Sequence, residues 1–99
     1  MPLTQASLTV NAKTIAMQEF IQEFLSGVIS GILSALKAPA DVRQVRLAIR
    51  GGSVDITVNG EDVPLNPFVN DFVRDTVSGM VSSLRDVDKP INSLEIDLS

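Results

Sequence analysis

The sequence predicts an α+β fold of the ferredoxin-like kind, a two-layer βαββαβ sandwich with an antiparallel sheet in strand order 4-1-3-2 and both helices on one face. Three observations predict it. The chain matches itself at an offset of 48 residues. Each matching half reads strand, helix, strand. Two adjacent glycines, Gly51 and Gly52, join the halves between alternating runs, as in a tight hairpin.

The self-match covers positions 8–37 and 56–85, where nine of thirty residues are identical and most others are conservative. Leu8-Thr9-Val10-Asn11 falls on Ile56-Thr57-Val58-Asn59. Phe20-Ile21 and Phe24-Leu25 fall on Phe68-Val69 and Phe72-Val73, and Ser30-Gly31 falls on Ser78-Gly79. One extra residue in the second loop then brings Val45, Leu47 and Ile49 onto Leu94, Ile96 and Leu98. Two unrelated amphipathic helices could share apolar positions through helical period alone, but not Thr-Val-Asn and Ser-Gly as well. The expectation is a single domain over residues 1–99, with internal β-α-β repeats at approximately 7–50 and 53–99.

Leu8 and Val10 alternate with polar residues, as do Val54, Ile56 and Val58, the pattern of strands with one buried face. Asn59-Gly60 is a turn signal, because both residue types tolerate positive φ. A short extended piece follows from Glu61 to Leu65, in which Pro64 disfavours a central strand. Asn66-Pro67 opens a helix, Asn capping free N–H groups and Pro suiting the first helical position. Apolar residues at helical spacing predict helices near 18–37 and 66–85, ending near Lys37 and Arg85 with cations at the negative end of the dipole. Phe24, Phe72, Ile32, Met80, Leu47, Ile56 and Ile96 are the expected core. The Gly51-Gly52 hairpin makes the strands at 45–50 and 54–59 antiparallel neighbours. Right-handed crossovers then favour the 4-1-3-2 order.

With 44% apolar and 20% charged residues the composition is that of a folded domain. The net charge of -4 argues against nucleic acid and against anionic membranes as partners. The absence of cysteine rules out disulfide and thiolate chemistry and suits a reducing cytoplasm. The opening residues lack the basic and apolar regions of a signal peptide. The uncharged run from Phe24 to Leu36 is too short to span a bilayer, which needs about 20 residues.

No residue set points to catalysis, a metal or a cofactor. Asp86 with Asp88 and Glu61 with Asp62 read as solvated turn acids without calcium-loop spacing. Arg50-Gly51-Gly52 reads as a structural turn rather than an anion nest. All four aromatic residues are Phe on helix stripes, so the sheet has no aromatic platform for RNA bases. Gly31 and Gly79 interrupt the helices, which costs about 1 kcal/mol each relative to Ala. The expected compensation is close approach, to the other helix, to a second subunit or to a ligand. Strand alternation sends Arg46, Arg50, Asp55, Glu95 and Asp97 to the helix-free face. In the 4-1-3-2 order the arginines stand on one edge and Glu95 and Asp97 on the other, so a two-fold dimer could set basic edge on acidic edge.

Pro2 after Met1, a strand, a helix, Ala38-Pro39 and then Val45-Arg46 on a strand resemble the tautomerase superfamily over about half the chain. That resemblance implies Pro2 as general base and Arg46 as a substrate clamp. The Gly51-Gly52 hairpin departs from it, since tautomerase β-α-β units pair their own two strands side by side. The leading expectation is a non-catalytic, cytoplasmic interaction or structural domain that self-associates as a homodimer. The alternatives are a regulatory domain with a small molecule at a dimer interface, and the tautomerase-like enzyme.

Overall fold

Tight turns set this architecture. The computed structural model describes residues 5–36 and 41–99, and the chain runs β1 (Ala6–Val10), β2 (Lys13–Ile15), α1 (Glu19–Ala35), β3 (Val45–Arg50), β4 (Ser53–Val58), β5 (Glu61–Asp62), α2 (Pro67–Ser82) and β6 (Ser93–Leu98). Both halves therefore carry the same order of elements, β-β-α-β. The glycine hairpin forms as expected, with Gly51 and Gly52 at φ of 55° and 86°, and β3 pairs antiparallel with β4 from Val45–Val58 to Arg50–Ser53. The helix starts also follow the sequence. The Asn66 side chain accepts a hydrogen bond from the Val69 amide at 2.8 Å, and Pro67 takes the first turn.

The strand order corrects the expectation. The sheet is antiparallel throughout and runs β2-β1-β6-β3-β4-β5, which is not the 4-1-3-2 ferredoxin-like order. A ferredoxin-like sheet pairs the first strands of the two units at its centre. Here the second strands, β3 and β6, pair at the centre, and the first strands lie outside them. The reason is the short return strands. β1 turns at Asn11-Ala12 onto β2, and β4 turns at Asn59-Gly60 onto β5, with positive φ at all four turn residues. β4 then has β5 on one side and β3 on the other, so neither side is left for β1. The free side of β3 takes β6, and the free side of β6 takes β1.

One buried layer joins the elements. Leu8, Ile96, Leu47 and Ile56 form a row straight across the four long strands, and Val10, Leu94, Ile49 and Val54 form the next. Leu25, Ile29 and Leu33 of α1 and Val73, Val77 and Val81 of α2 close over these rows in the same core. Both helices thus lie on one face of the sheet. Gln22 and Asn70, equivalent in the two halves, fasten helices to strands. Each accepts through its side-chain oxygen from a strand amide, that of Ala6 at 3.4 Å and of Val54 at 2.8 Å.

Leu47, Ile56 and Ile96 are core residues as expected, and Ile32 and Met80 pack against the core while partly exposed. Phe24 and Phe72 are not in the core: they are 55% and 61% exposed. The apolar residues of α1 surround too much of the helix for one stripe. The ridge that meets the sheet is Leu25, Ile29 and Leu33, and at 3.6 residues per turn Phe20 lies about opposite it. The helices also end at Ala35 and Ser82, earlier than expected, and neither last turn holds a basic residue. Lys37 lies outside the described residues.

Candidate functional site: the outer face of the helix layer

α1 and α2 each bury one ridge, and what the other side carries sets the surface chemistry of this half of the molecule. On α1 the exposed positions are Glu19, Phe20, Glu23, Phe24, Gly27, Ser30, Gly31, Ser34 and Ala35. On α2 the equivalent face carries Phe68, Asp71, Phe72, Asp75, Thr76 and Gly79. Phe20 and Phe68 are 67% and 73% exposed, so all four aromatic residues of the chain stand on the surface. Within each helix they form a pair one turn apart, with ring centroids 6.2 Å apart for Phe20 and Phe24 and 5.9 Å for Phe68 and Phe72. That spacing is ordinary for tilted aromatic contacts. Each pair still leaves on the order of 200 Å² of ring surface in water.

Beyond its Phe pair the face of α1 carries only small residues, Gly27, Ser30, Gly31 and Ser34, whereas that of α2 carries Asp75 and Thr76 before Gly79. A Cβ placed on Gly27, Gly31 or Gly79 would meet nothing within 4 Å. The expected close approach of Gly31 and Gly79 to the other helix is therefore corrected: both face open space. The reason is again the ridge geometry, since the two helices lean on the sheet rather than on one another. The Gly79 carbonyl accepts from the Ser82 and Ser83 hydroxyls at 2.9 and 3.2 Å, which satisfies it within its own helix.

The helix-free face of the sheet is arranged differently from the expectation as well. Arg46, Arg50, Glu95 and Asp97 do point there, but β3 and β6 are neighbours, so the charges meet within one chain. Arg46 Nε lies 2.9 Å from Glu95 Oε1 and 3.0 Å from Asp97 Oδ1, and Arg50 Nη2 lies 3.6 Å from Glu95 Oε2. The hydrogen bond to Asp97, then the charges of Asp97 and Glu95, hold the Arg46 guanidinium above the usual arginine range. Asp55 sits across from Ala48, as the hairpin requires. The separation into a basic and an acidic edge, on which a charge-matched dimer depended, does not exist in this strand order.

Nothing gathers for catalysis among the described residues. No group of three carboxylates could hold a metal ion, and no polar or charged side chain is buried. Four depressions lined by described residues measure 190 to 330 Å³, at or below the small end of ligand pockets. Asp86 and Asp88 are exposed loop residues, and Glu61 and Asp62 form β5 at the sheet edge with both side chains exposed. Pro2 and the Ala38-Pro39 pair lie outside the described residues, and Arg46 is engaged by Glu95 and Asp97. Among the described residues no helix is long and apolar enough to cross a membrane.

The sequence places all four Phe residues on helix stripes, with Phe24 and Phe72 expected in the core. The signal that separates the two roles was present. Phe20, Phe24, Phe68 and Phe72 alternate with Glu19, Glu23, Asp71 and Asp75, so the aromatic sector is also the acidic one. No family model matches the chain, and neither a curated protein nor a solved structure matches it.

Proposed function

We propose that this chain is a non-catalytic module that self-associates, and that the outer face of its helix layer is the contact surface. The observation that carries the reading is the exposure of all four phenylalanines at equivalent positions of the two helices. Single exposed apolar residues are common, but paired aromatics repeated on two helices form apolar patches of the kind that mark interfaces. The occupant is a second copy. Glu19, Glu23, Asp71 and Asp75 frame the rings and repel anionic lipid and nucleic acid. A helix of 17 residues is about 25 Å long, and two side by side give room for about 800 Å² per partner, a standard interface.

Sedimentation across a concentration series tests the reading. The parent chain should pass from monomer to dimer. The variant with Phe20, Phe24, Phe68 and Phe72 all changed to Ser should stay monomeric, with an unchanged circular dichroism spectrum. A parent that is monomeric up to its solubility limit, or a quadruple variant that still dimerises, overturns it.

A further inference from the structure

We infer that the dimer is built on an antiparallel pairing of α1 with the α1 of a second copy, in which Phe20 and Phe24 of each chain seat against Gly31 and Gly27 of the other. This inference rests on the proposed self-association and adds its geometry. Phe20, Phe24, Gly27 and Gly31 lie within about 60° of arc on one exposed stripe of α1. The two rings are four residues apart and so are the two glycines. A two-fold axis crossing the helix pair between positions 25 and 26 therefore sets Phe20 on Gly31 and Phe24 on Gly27 at the same time. Each contact then occurs twice, as an isologous interface demands.

Shape and charge both select this orientation. Open space surrounds both glycines, so a ring from outside can rest on bare backbone. Glu19 and Glu23 occupy the aromatic half of α1, while residues 26–35 carry no charge. A parallel pairing would set rings on rings and carboxylates on carboxylates. The antiparallel pairing moves Glu19 about 20 Å along the axis from its equivalent and lays the acidic half over Ser and Gly. α2 lacks this self-complementarity. Its residue equivalent to Gly27 is Asp75, so Phe72 would meet a carboxylate in the same register. The two-fold places α2 opposite the second copy's α2, where Phe68 and Phe72 extend the contact at its side.

A swap of the interlocking residues tests the pairing by sedimentation equilibrium. Gly31→Phe should weaken the dimer at least 100-fold, because ring then meets ring at two places. Its side chain enters open space in the monomer, so the fold should stay intact by circular dichroism. Phe20→Gly should also weaken the dimer. The double variant Phe20→Gly with Gly31→Phe should recover to within about 10-fold of the parent, since each new ring faces a new glycine across the axis. A parent dimer with no recovery in the double variant overturns the antiparallel pairing but leaves self-association standing. A parent that never dimerises overturns both. As a second reading, spin labels at Ser34→Cys should lie about 25 Å or more apart, and a separation under about 15 Å would show a parallel pairing.

Discussion

Asn11 and Asn59 make the same set of hydrogen bonds, each into the other half of the chain. The Asn59 Oδ1 accepts from the Arg43 and Gln44 amides at 2.8 and 3.0 Å, and its Nδ2 donates to the Asp41 carbonyl at 2.7 Å. The Asn11 Oδ1 accepts from the Asn92 and Ser93 amides at 2.7 and 3.1 Å, and its Nδ2 donates to the Pro90 carbonyl at 3.1 Å. Both backbones are left-handed, at φ of 50° and 52°. Each asparagine thus pins the loop that enters a central strand, β6 for Asn11 and β3 for Asn59. The repeated Thr-Val-Asn is a device that interlocks the two halves.

Asn11→Ala and Asn59→Ala should each destabilise the chain by about 2–4 kcal/mol, from lost hydrogen bonds and an Ala held at positive φ. Asn→Gly at either site should cost less, because glycine removes only the side-chain bonds. Urea denaturation checks both. A loss under about 1 kcal/mol for the alanine variants would show that the loops are held by other means.

Ala12 has φ of 66°, where the equivalent residue of the other half is Gly60 at 84°. An L-residue there costs roughly 1–2 kcal/mol. Ala12→Gly should raise stability by about 0.5–1 kcal/mol, part of the relief being offset by the greater freedom of glycine in the unfolded chain. An unchanged or lower denaturation midpoint would contradict the strain.

Leu25→Ala should cost about 2–5 kcal/mol, since Leu25 is 2% exposed beneath α1. Phe72→Ala should cost under about 1 kcal/mol in the monomer, because its ring already meets water. Unfolding must be measured at dilutions where the chain is monomeric. Comparable losses for the two variants would place Phe72 against the core after all.

Arg46→Met should lower stability, more at low salt than at high salt, because Glu95 and Asp97 lose their shared partner on an exposed face. The Arg46 pKa is raised on folding, so its contribution is complete below the ordinary arginine value and is lost only as pH climbs through the raised one. The difference between parent and variant should therefore stay level from neutral to about pH 10. A difference that ignores salt would show that packing of the arginine stem, not charge, is what was removed.

Local chemistry was legible in the residues alone. The Asn66-Pro67 start, the Gly51-Gly52 hairpin and strand alternation each follow from short-range rules, and the structure reproduces them. The alternation also settled which strand side chains face the helices. Two things were decided only by the tertiary structure. The first is strand order. Glu61–Asp62 and Lys13–Ile15 are too short to read as strands, yet by occupying one side of β4 and β1 they force β3 and β6 to the centre and bring Arg46 onto Glu95 and Asp97. The second is which apolar residues of each helix are buried. Periodicity shows that Phe20, Phe24, Leu25 and Ile29 share a helix, but a helix apolar around much of its surface has more than one ridge to offer. The sheet accepts only one, the aliphatic ridge of Leu25, Ile29 and Leu33, which packs into the same core as the strand rows. The phenylalanines, half a turn away, are left facing water.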